Sequence, residues 1–136
     1  MSEQTVLEDL TPIDTQDAVA LNYACMQELS NSKASDIVSV NVGASSSVAD
    51  YMIVCSGTSN RHVSAMAERL QKHLAKRGIH GIHISGEKEG AWVVVDAGNV
   101  IAHIMQPETR ERYRLEELYR CMAAGEDPRN LPDSAE

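Results

Sequence analysis

Residues 49–63 read ADYMIVCSGTSNRHV, and this stretch decides the fold. Its continuous apolar run at 51–56 predicts an interior strand that is buried on both faces. A Ser-Gly-Thr-Ser turn follows, and Thr58 or Ser59 can cap the next helix by accepting a backbone N–H of its first turn. The same order of strand, small-residue turn and helix opens many phosphate sites, because the turn offers backbone N–H groups to an anion. The turn therefore has two possible roles, a helix cap or a phosphate site.

The sequence on both sides of this stretch predicts the rest of the domain. Apolar residues three and four apart predict a helix from residue 14 or 15 to about 30, a second from the cap to Gly78, and a third from Pro107 to about Met122. Strands are predicted at 36–42 and 79–85. The apolar stripe of the second helix is Val63, Met66, Ala67, Leu70 and Leu74. The element order α-β-β-α-β-β-β-α predicts an α/β fold, a single domain with a mixed five-stranded sheet and flanking helices.

The stretch AWVVVDAGNVIAHIM, 91–105, predicts a β-hairpin with a two-residue loop at Gly98-Asn99. This loop fixes the register, so that one face of the hairpin is apolar throughout. The opposite face pairs Trp92 with Met105, Val94 with His103, and Asp96 with Ile101. This second face mixes an aromatic ring, a carboxylate and an imidazole, a composition less typical of a hydrophobic core than that of the apolar face.

Length and charge limit the classes of function. The chain has 136 residues, enough for one self-supporting domain, and a net charge of −8. Such a surface repels a phosphate backbone, so extensive direct nucleic-acid binding is not expected, whereas a basic protein partner is favoured. We expect a mobile acidic lead at 1–13, the folded domain at 14–122, and a disordered polar tail at 123–136.

The sequence also bears on location. No apolar run approaches the roughly 20 residues that span a bilayer, so no membrane partner is expected. The acidic N-terminus lacks the features of a secretion signal or a transit peptide, which favours a cytoplasmic, bacterial protein. In that compartment Cys25, Cys55 and Cys121 are expected to be reduced and mostly buried.

Catalytic patterns are weak. Nucleotidyl transfer would need paired carboxylates on a strand to hold a divalent metal, and Asp96 stands alone. The helix cap is therefore the favoured role of the turn. His80 and His83 would point to opposite faces of a strand, so no metal site is expected. A catalytic Cys55 paired with His103 or His62 stays an open alternative of low weight.

Trp92 is the only tryptophan in the sequence. Tryptophan is most often a core residue, and it is also enriched among the hot spots of protein interfaces. The hairpin register places Trp92 on the mixed face, which favours a binding role, so the two roles carry about equal weight.

Three motifs resemble the ribosomal silencing factor family, also called Iojap-like proteins: DYMIVCSGTSNRHVSAMAERL, GEKEGAWVVVDAGNVIAHIM and RERYRLEELYR. The resemblance runs from about residue 18 to residue 120. It implies a nucleotidyltransferase-like fold without catalytic carboxylates, and a protein with no enzymatic activity, cofactor or metal. Such proteins bind the large ribosomal subunit through ribosomal protein fourteen and block joining of the small subunit. Translation is thereby repressed under nutrient limitation.

The resemblance also suggests the contact residues. The family has a strand with the pattern Trp-Val-x-x-Asp, and its Trp and Asp match Trp92 and Asp96. Both residues are expected to contact the basic ribosomal protein. The full expected partner-binding set is Trp92, Asp96, Glu87, Glu89, His103, Met105 and Tyr51. The alternative function is a nucleotide-binding, nucleotidyltransferase-like enzyme that uses the Ser-Gly-Thr-Ser turn. The sequence leaves the oligomeric state open, and a homodimer that competes with the ribosome is one alternative.

Overall fold

The computed structural model describes residues 10–44, 46, 48–86 and 88–124. Within these ranges the elements are α1 (Ala18–Asn31), β1 (Ser35–Asn41), β2 (Tyr51–Ser56), α2 (Asn60–Lys76), β3 (His83–Ser85), β4 (Trp92–Asp96), β5 (Val100–Met105), α3 (Pro107–Tyr113) and α4 (Leu115–Ala123). None of the described helices is long and apolar enough to cross a bilayer.

The five strands form one mixed sheet in the order β1-β2-β5-β4-β3. Strands β2 and β5 are parallel, and the other neighbouring pairs are antiparallel. The predicted α/β domain with a mixed five-stranded sheet is confirmed. Strand β2 is interior, and Met52–Ser56 are all buried, as its continuous apolar run predicted.

The main core lies between one face of the sheet, here called the inner face, and helices α1 and α2. Inner-face residues of β2 are Tyr51, Ile53 and Cys55, since alternate side chains share a face. The buried residues of α2 are the predicted stripe: Val63, Met66, Ala67, Leu70 and Leu74. The inner face therefore holds the apolar surface that both helices bury, and it is expected to supply most of the stability.

The first helix begins later than predicted. Its N-terminal cap is Asp17, whose carboxylate accepts the backbone N–H of Ala20 at 3.0 Å. The predicted mobile lead at 1–13 lies mostly outside the described residues. Ile13 differs from that prediction, because it is buried in the core and its N–H donates to the carbonyl of Arg77 at 2.8 Å.

The predicted hairpin register is confirmed at every pair. Val93 pairs with Ile104 and Val95 with Ala102 on the inner face. On the other side of the sheet, here called the outer face, Trp92 pairs with Met105, Val94 with His103 and Asp96 with Ile101. Gly98 supplies the positive φ of the turn, at 91°.

Two predicted elements are corrected. The third strand is shorter than 79–85, because Ile79 donates its N–H to the carbonyl of Leu74 at the end of α2 and packs in the core. The single C-terminal helix is two, since Arg114 adopts the left-handed conformation (φ 51°) between α3 and α4. That break turns α4 back over the outer face, where Tyr119 packs against a second buried cluster.

Candidate functional site

The Ser-Gly-Thr-Ser turn is a helix cap whose donors are used within the chain. The Ser59 hydroxyl accepts the N–H of His62 at 3.1 Å, which confirms the predicted cap. The N–H of Thr58 donates to Nδ1 of His62 at 3.0 Å, and the N–H of Gly57 donates to the carbonyl of Met105 at 3.0 Å. Two N–H groups of the turn and one of the first helical turn are therefore already used within the chain.

The start of α2 is also covered by the loop before β4. A Cβ placed on Gly90 would lie 2.8–2.9 Å from atoms of Asn60, the first residue of the helix. The amide of Gln106 holds this contact, because its Nε2 donates to the Asn60 side chain and to the carbonyl of Gly90. Little room is left for an anion at this helix end.

A buried arginine fills the carboxyl-end region of β2, where parallel strands of α/β folds commonly bind ligands. Nη1 of Arg110 donates to the Ser56 hydroxyl at 2.9 Å, and its Nε donates to the Glu116 carboxylate at 3.1 Å. An opening of about 470 Å³ lies beside this pair. Asp36, Glu111, Glu116 and Glu117 line it with Arg110 and Arg114, so acidic groups outnumber basic ones and a polyphosphate is disfavoured.

Thiol and metal chemistry find no support in the described ranges. Cys55 is fully buried on the inner face, and desolvation raises its pKa to about 12, so it stays a neutral thiol. His103 lies on the outer face, and His62 is engaged with Thr58. The part of the chain that the structure describes contains no group of three or more side chains suited to a metal ion.

The outer face carries a hydrogen-bonded aromatic group around Trp92. Its indole N–H donates to Nδ1 of His103 at 3.1 Å, diagonally across the β4–β5 pair, because His103 pairs with Val94, two residues along β4. Nε2 of His103 lies 3.4 Å from the hydroxyl oxygen of Tyr119 on α4. Three elements thus meet at this imidazole.

Tyr113 completes the group. Its ring centroid lies 4.9 Å from that of Trp92, at an interplanar angle of 45°, within the range of favourable aromatic pairs. Trp92 is half-buried, and Tyr113 is 52% exposed. A cleft of about 400 Å³ runs beside the two rings, with Glu89 and Arg112 among its lining residues. Trp92, Tyr113, His103 and Tyr119 are here called the aromatic cluster.

The imidazole of the cluster is neutral at physiological pH. Burial lowers the pKa of His103 to about 4, because desolvation disfavours the charged ring. Burial also raises the pKa of Tyr119, so its hydroxyl stays protonated. The cluster is therefore an uncharged, hydrogen-bonded support for an indole that still reaches the surface.

The structure separates the expected partner-binding residues. Trp92, Asp96, His103 and Met105 share the outer face, but His103 is only 7% exposed and Met105 is fully buried. Neither offers a direct contact to a partner in this conformation, because both side chains are buried. Tyr51 lies on the inner face, so it is not brought together with Trp92.

The acidic residues of that set differ in role. Glu89 is exposed in the turn before β4 and borders the cleft beside Trp92. Asp96 lies four residues from Trp92 along the same face, and its carboxylate accepts the N–H of Gly98 at 3.0 Å, which stabilises the hairpin turn. Glu87 lies outside the described residues.

Sequence reasoning missed Tyr113, Tyr119 and Arg110 as parts of the site. On an unbroken helix, residues six apart point in directions that differ by roughly 240°, so Tyr113 and Tyr119 would not face the same sheet. The break at Arg114 brings both to the outer face. The available signal was composition: four Tyr residues and no Phe make each tyrosine worth locating.

The fold and the site together define a class: an α/β domain with a capped turn before its second helix and an aromatic cluster on its outer face. The sequence profile described as "Ribosomal silencing factor during starvation" matches residues 15–136. The chain belongs to the ribosomal silencing factor family. This family acts in translation regulation and is not enzymatic, which overturns the alternative of a nucleotidyltransferase-like enzyme.

Individual relatives support the assignment. A ribosomal silencing factor of Haemophilus influenzae is 44% identical over 101 residues, covering 74% of this chain and 99% of the relative. A crystal structure of a Chromobacterium violaceum protein matches with a TM-score of 0.73 and 31% identity, over 89% of this chain and 92% of that one. The mouse protein named "Mitochondrial assembly of ribosomal large subunit protein 1" is 38% identical over 94 residues, which are 67% of this chain and 41% of the mouse protein.

Proposed function

We propose that this protein binds the large ribosomal subunit through ribosomal protein fourteen and sterically blocks joining of the small subunit. Translation is thereby repressed when nutrients are short. Membership of the ribosomal silencing factor family supports the coarse function, and the name of the mouse relative points to the same subunit. The cytoplasmic location belongs to the same proposal.

The half-buried side chain of Trp92, which lines the cleft beside Tyr113, is the observation that carries the proposal. Tryptophan is enriched among the residues that contribute most of the binding energy at protein interfaces. Tyr113 and His103 hold the ring, and the cleft beside it can accept a side chain of the partner. Trp92 is therefore the proposed centre of the contact, and Glu89 and Asp96 lie at its border.

Charge supports a protein partner over ribosomal RNA. The net charge of −8 repels a phosphate backbone and attracts a basic protein surface, which also accelerates encounter. The blocking mechanism needs no chemistry. A domain docked on the joining face of one subunit occupies space that the other must fill, so association fails while the domain stays bound.

The test is a subunit-association assay with purified ribosomal subunits. Increasing amounts of the protein are added to the large subunit before the small subunit, and joined ribosomes are measured by light scattering or sucrose-gradient sedimentation. We expect joining to fall with occupancy of the large subunit. Normal joining in stoichiometric excess of the protein would contradict the proposal. Whether the isolated protein is a monomer or a homodimer is a separate question, which light scattering of the protein alone answers.

A further inference from the structure

His103 connects the two strands of the hairpin to α4 through both of its ring nitrogens. Nδ1 accepts the indole N–H of Trp92 at 3.1 Å, so in the neutral ring the proton is on Nε2. The oxygen of Tyr119, 3.4 Å from Nε2, is then the acceptor on the other side. The hydrogen bonds to Trp92 and Tyr119 therefore determine which ring nitrogen of His103 carries the proton.

We propose that His103 is a positioning residue for partner binding: held by Tyr119, it fixes the indole of Trp92 in the orientation that docks. This inference rests on the proposed function, since it takes Trp92 as the anchor. His103 is 7% exposed and cannot itself reach a partner. Whatever it contributes to affinity passes through the indole.

The physical basis is preorganisation. A half-buried indole that could rotate would lose conformational freedom on docking, and that loss would weaken binding. The hydrogen bond from its N–H removes that freedom in advance, and the ring of Tyr113 at 4.9 Å limits the remaining tilt. The arrangement also leaves the indole N–H satisfied, so the partner need offer no acceptor to it and can contact the ring with apolar or cationic groups.

Two amide substitutions at His103 separate positioning from packing. In His103→Asn the amide oxygen can occupy the place of Nδ1 and still accept the indole N–H. In His103→Gln the longer side chain places its amide nearer the position of Nε2, toward Tyr119, and the indole loses its acceptor. Both variants are neutral and polar, so they form a matched pair.

The first readout is spectroscopic and needs no partner. Trp92 is the only tryptophan, so ¹⁵N-labelled protein gives one indole N–H resonance. We expect a shifted resonance with slow solvent exchange in the wild type and in His103→Asn, and a fast-exchanging resonance in His103→Gln. An equally protected resonance in both variants would overturn the proposal.

The second readout is affinity for the isolated large subunit, measured by cosedimentation. His103→Gln is expected to bind about tenfold more weakly, as for the loss of one buried hydrogen-bond partner, and His103→Asn within about threefold of the wild type. Equal weakening of both variants would assign His103 a packing role only and overturn the proposal. Wild-type binding of His103→Gln with an exposed indole N–H would also overturn it.

Tyr119→Phe keeps the test available if both substitutions at 103 prevent folding. It removes one hydroxyl and leaves the ring against His103, whose centroid lies 5.8 Å away. Faster exchange of the indole N–H together with weaker binding is expected, and no change in either would overturn the proposal. Failure of the proposed function has a different signature, because the wild type would then fail to cosediment with the subunit although its indole N–H is protected.

Discussion

His62 accepts the backbone N–H of Thr58 on its Nδ1, 3.0 Å away, and its Nε2 lies 2.9 Å from the carbonyl oxygen of Ser32. One imidazole thus uses a donor of the turn and joins the start of α2 to the end of α1. A turn of the type that binds phosphate in other proteins is here part of the packing between helices. Its role in this chain is structural.

The first prediction concerns this imidazole. His62→Ala removes both contacts and leaves the N–H of Thr58 without its partner, so we expect the free energy of unfolding in urea to fall by about 1–2 kcal/mol. The variant should still bind no nucleoside triphosphate with Mg²⁺ in calorimetric titration, because the Gly90 loop covers the helix start and the strands carry single carboxylates, Asp36 and Asp96, rather than a pair on one strand. Saturable nucleotide binding by the wild type would contradict the closed turn.

The second prediction compares two glycines. Gly90→Ala places a Cβ 2.8–2.9 Å from Asn60 and also strains a positive φ of 73°, so a loss of about 2 kcal/mol or more in stability is expected. Gly78 has a φ of 90° with nothing within 4 Å of its Cβ position, so Gly78→Ala carries the backbone strain alone, about 1 kcal/mol. Thermal or urea unfolding of both variants measures the difference. Equal losses of unfolding free energy in the two variants would show that the Gly90 loop is not in close contact with α2.

Local pattern predicted the hairpin and the second helix, because each depends on a short-range rule. Alternation with a two-residue loop set the register from Trp92 to Met105, and helical spacing set the stripe of α2. The break at Arg114 carries neither Gly nor Pro, the usual signals of a helix end. Its cause is tertiary: α4 buries Cys121 and packs the partly buried Tyr119 against the outer face only if the chain turns back toward the sheet.

The same break explains which parts of the site the sequence could not predict. The mixed composition of the outer face could be read from the sequence, but the burial of His103 and Met105 could not. Both residues were therefore expected to be accessible to a partner. Tyr51 was misplaced for another reason. A continuous apolar strand does not reveal which residues face which side, and only the pairing of Tyr51 with Val100 puts it on the inner face.

The third prediction tests the anchor. Trp92→Glu removes the half-buried aromatic ring that lines the cleft and adds a negative charge, so we expect a loss of about 2 kcal/mol or more in binding to the large subunit, which is about thirtyfold in affinity. Tyr23→Glu is the matched control, since Tyr23 is 63% exposed on α1 and the charge change is the same. Circular dichroism confirms that both variants fold. Cosedimentation of folded Trp92→Glu at the wild-type level would exclude Trp92 as the anchor.

The fourth prediction concerns two arginines of the C-terminal helices. Arg110→Ala leaves the Ser56 hydroxyl and the Glu116 carboxylate without their partner in a mostly buried site, where the side chains of the ion pair are 10% and 21% exposed. A loss of about 2–3 kcal/mol in unfolding free energy is expected. Arg114→Ala breaks the pair with Glu117, whose side chains are 38% and 36% exposed, and should cost less than about 1 kcal/mol. Similar losses for the two variants would argue against a buried role for Arg110.

The fifth prediction is a pH dependence of stability that arises from His103. The pKa of this residue is about 4 in the folded chain against 6.5 for the unfolded reference, so between these values the unfolded state binds more protons. Its contribution to stability is therefore complete above pH 6.5 and decreases as the pH falls toward 4, by at most about 3 kcal/mol. His103→Asn lacks the titrating group and is the control.

Urea unfolding of the wild type and of His103→Asn at pH 7, 5.5 and 4.5 isolates the contribution of His103 to the pH dependence of stability, because the other titrating groups are common to both proteins. The stability difference between them should shift against the wild type as the pH is lowered. A protonated His103 cannot accept the indole N–H of Trp92 on Nδ1, so in the wild type alone the indole resonance should stay protected at pH 5.5 and lose protection only as the pH falls to about 4, the pKa of the folded chain. A difference in stability that does not vary with pH would show that the imidazole titrates equally in both states and is not desolvated by the fold.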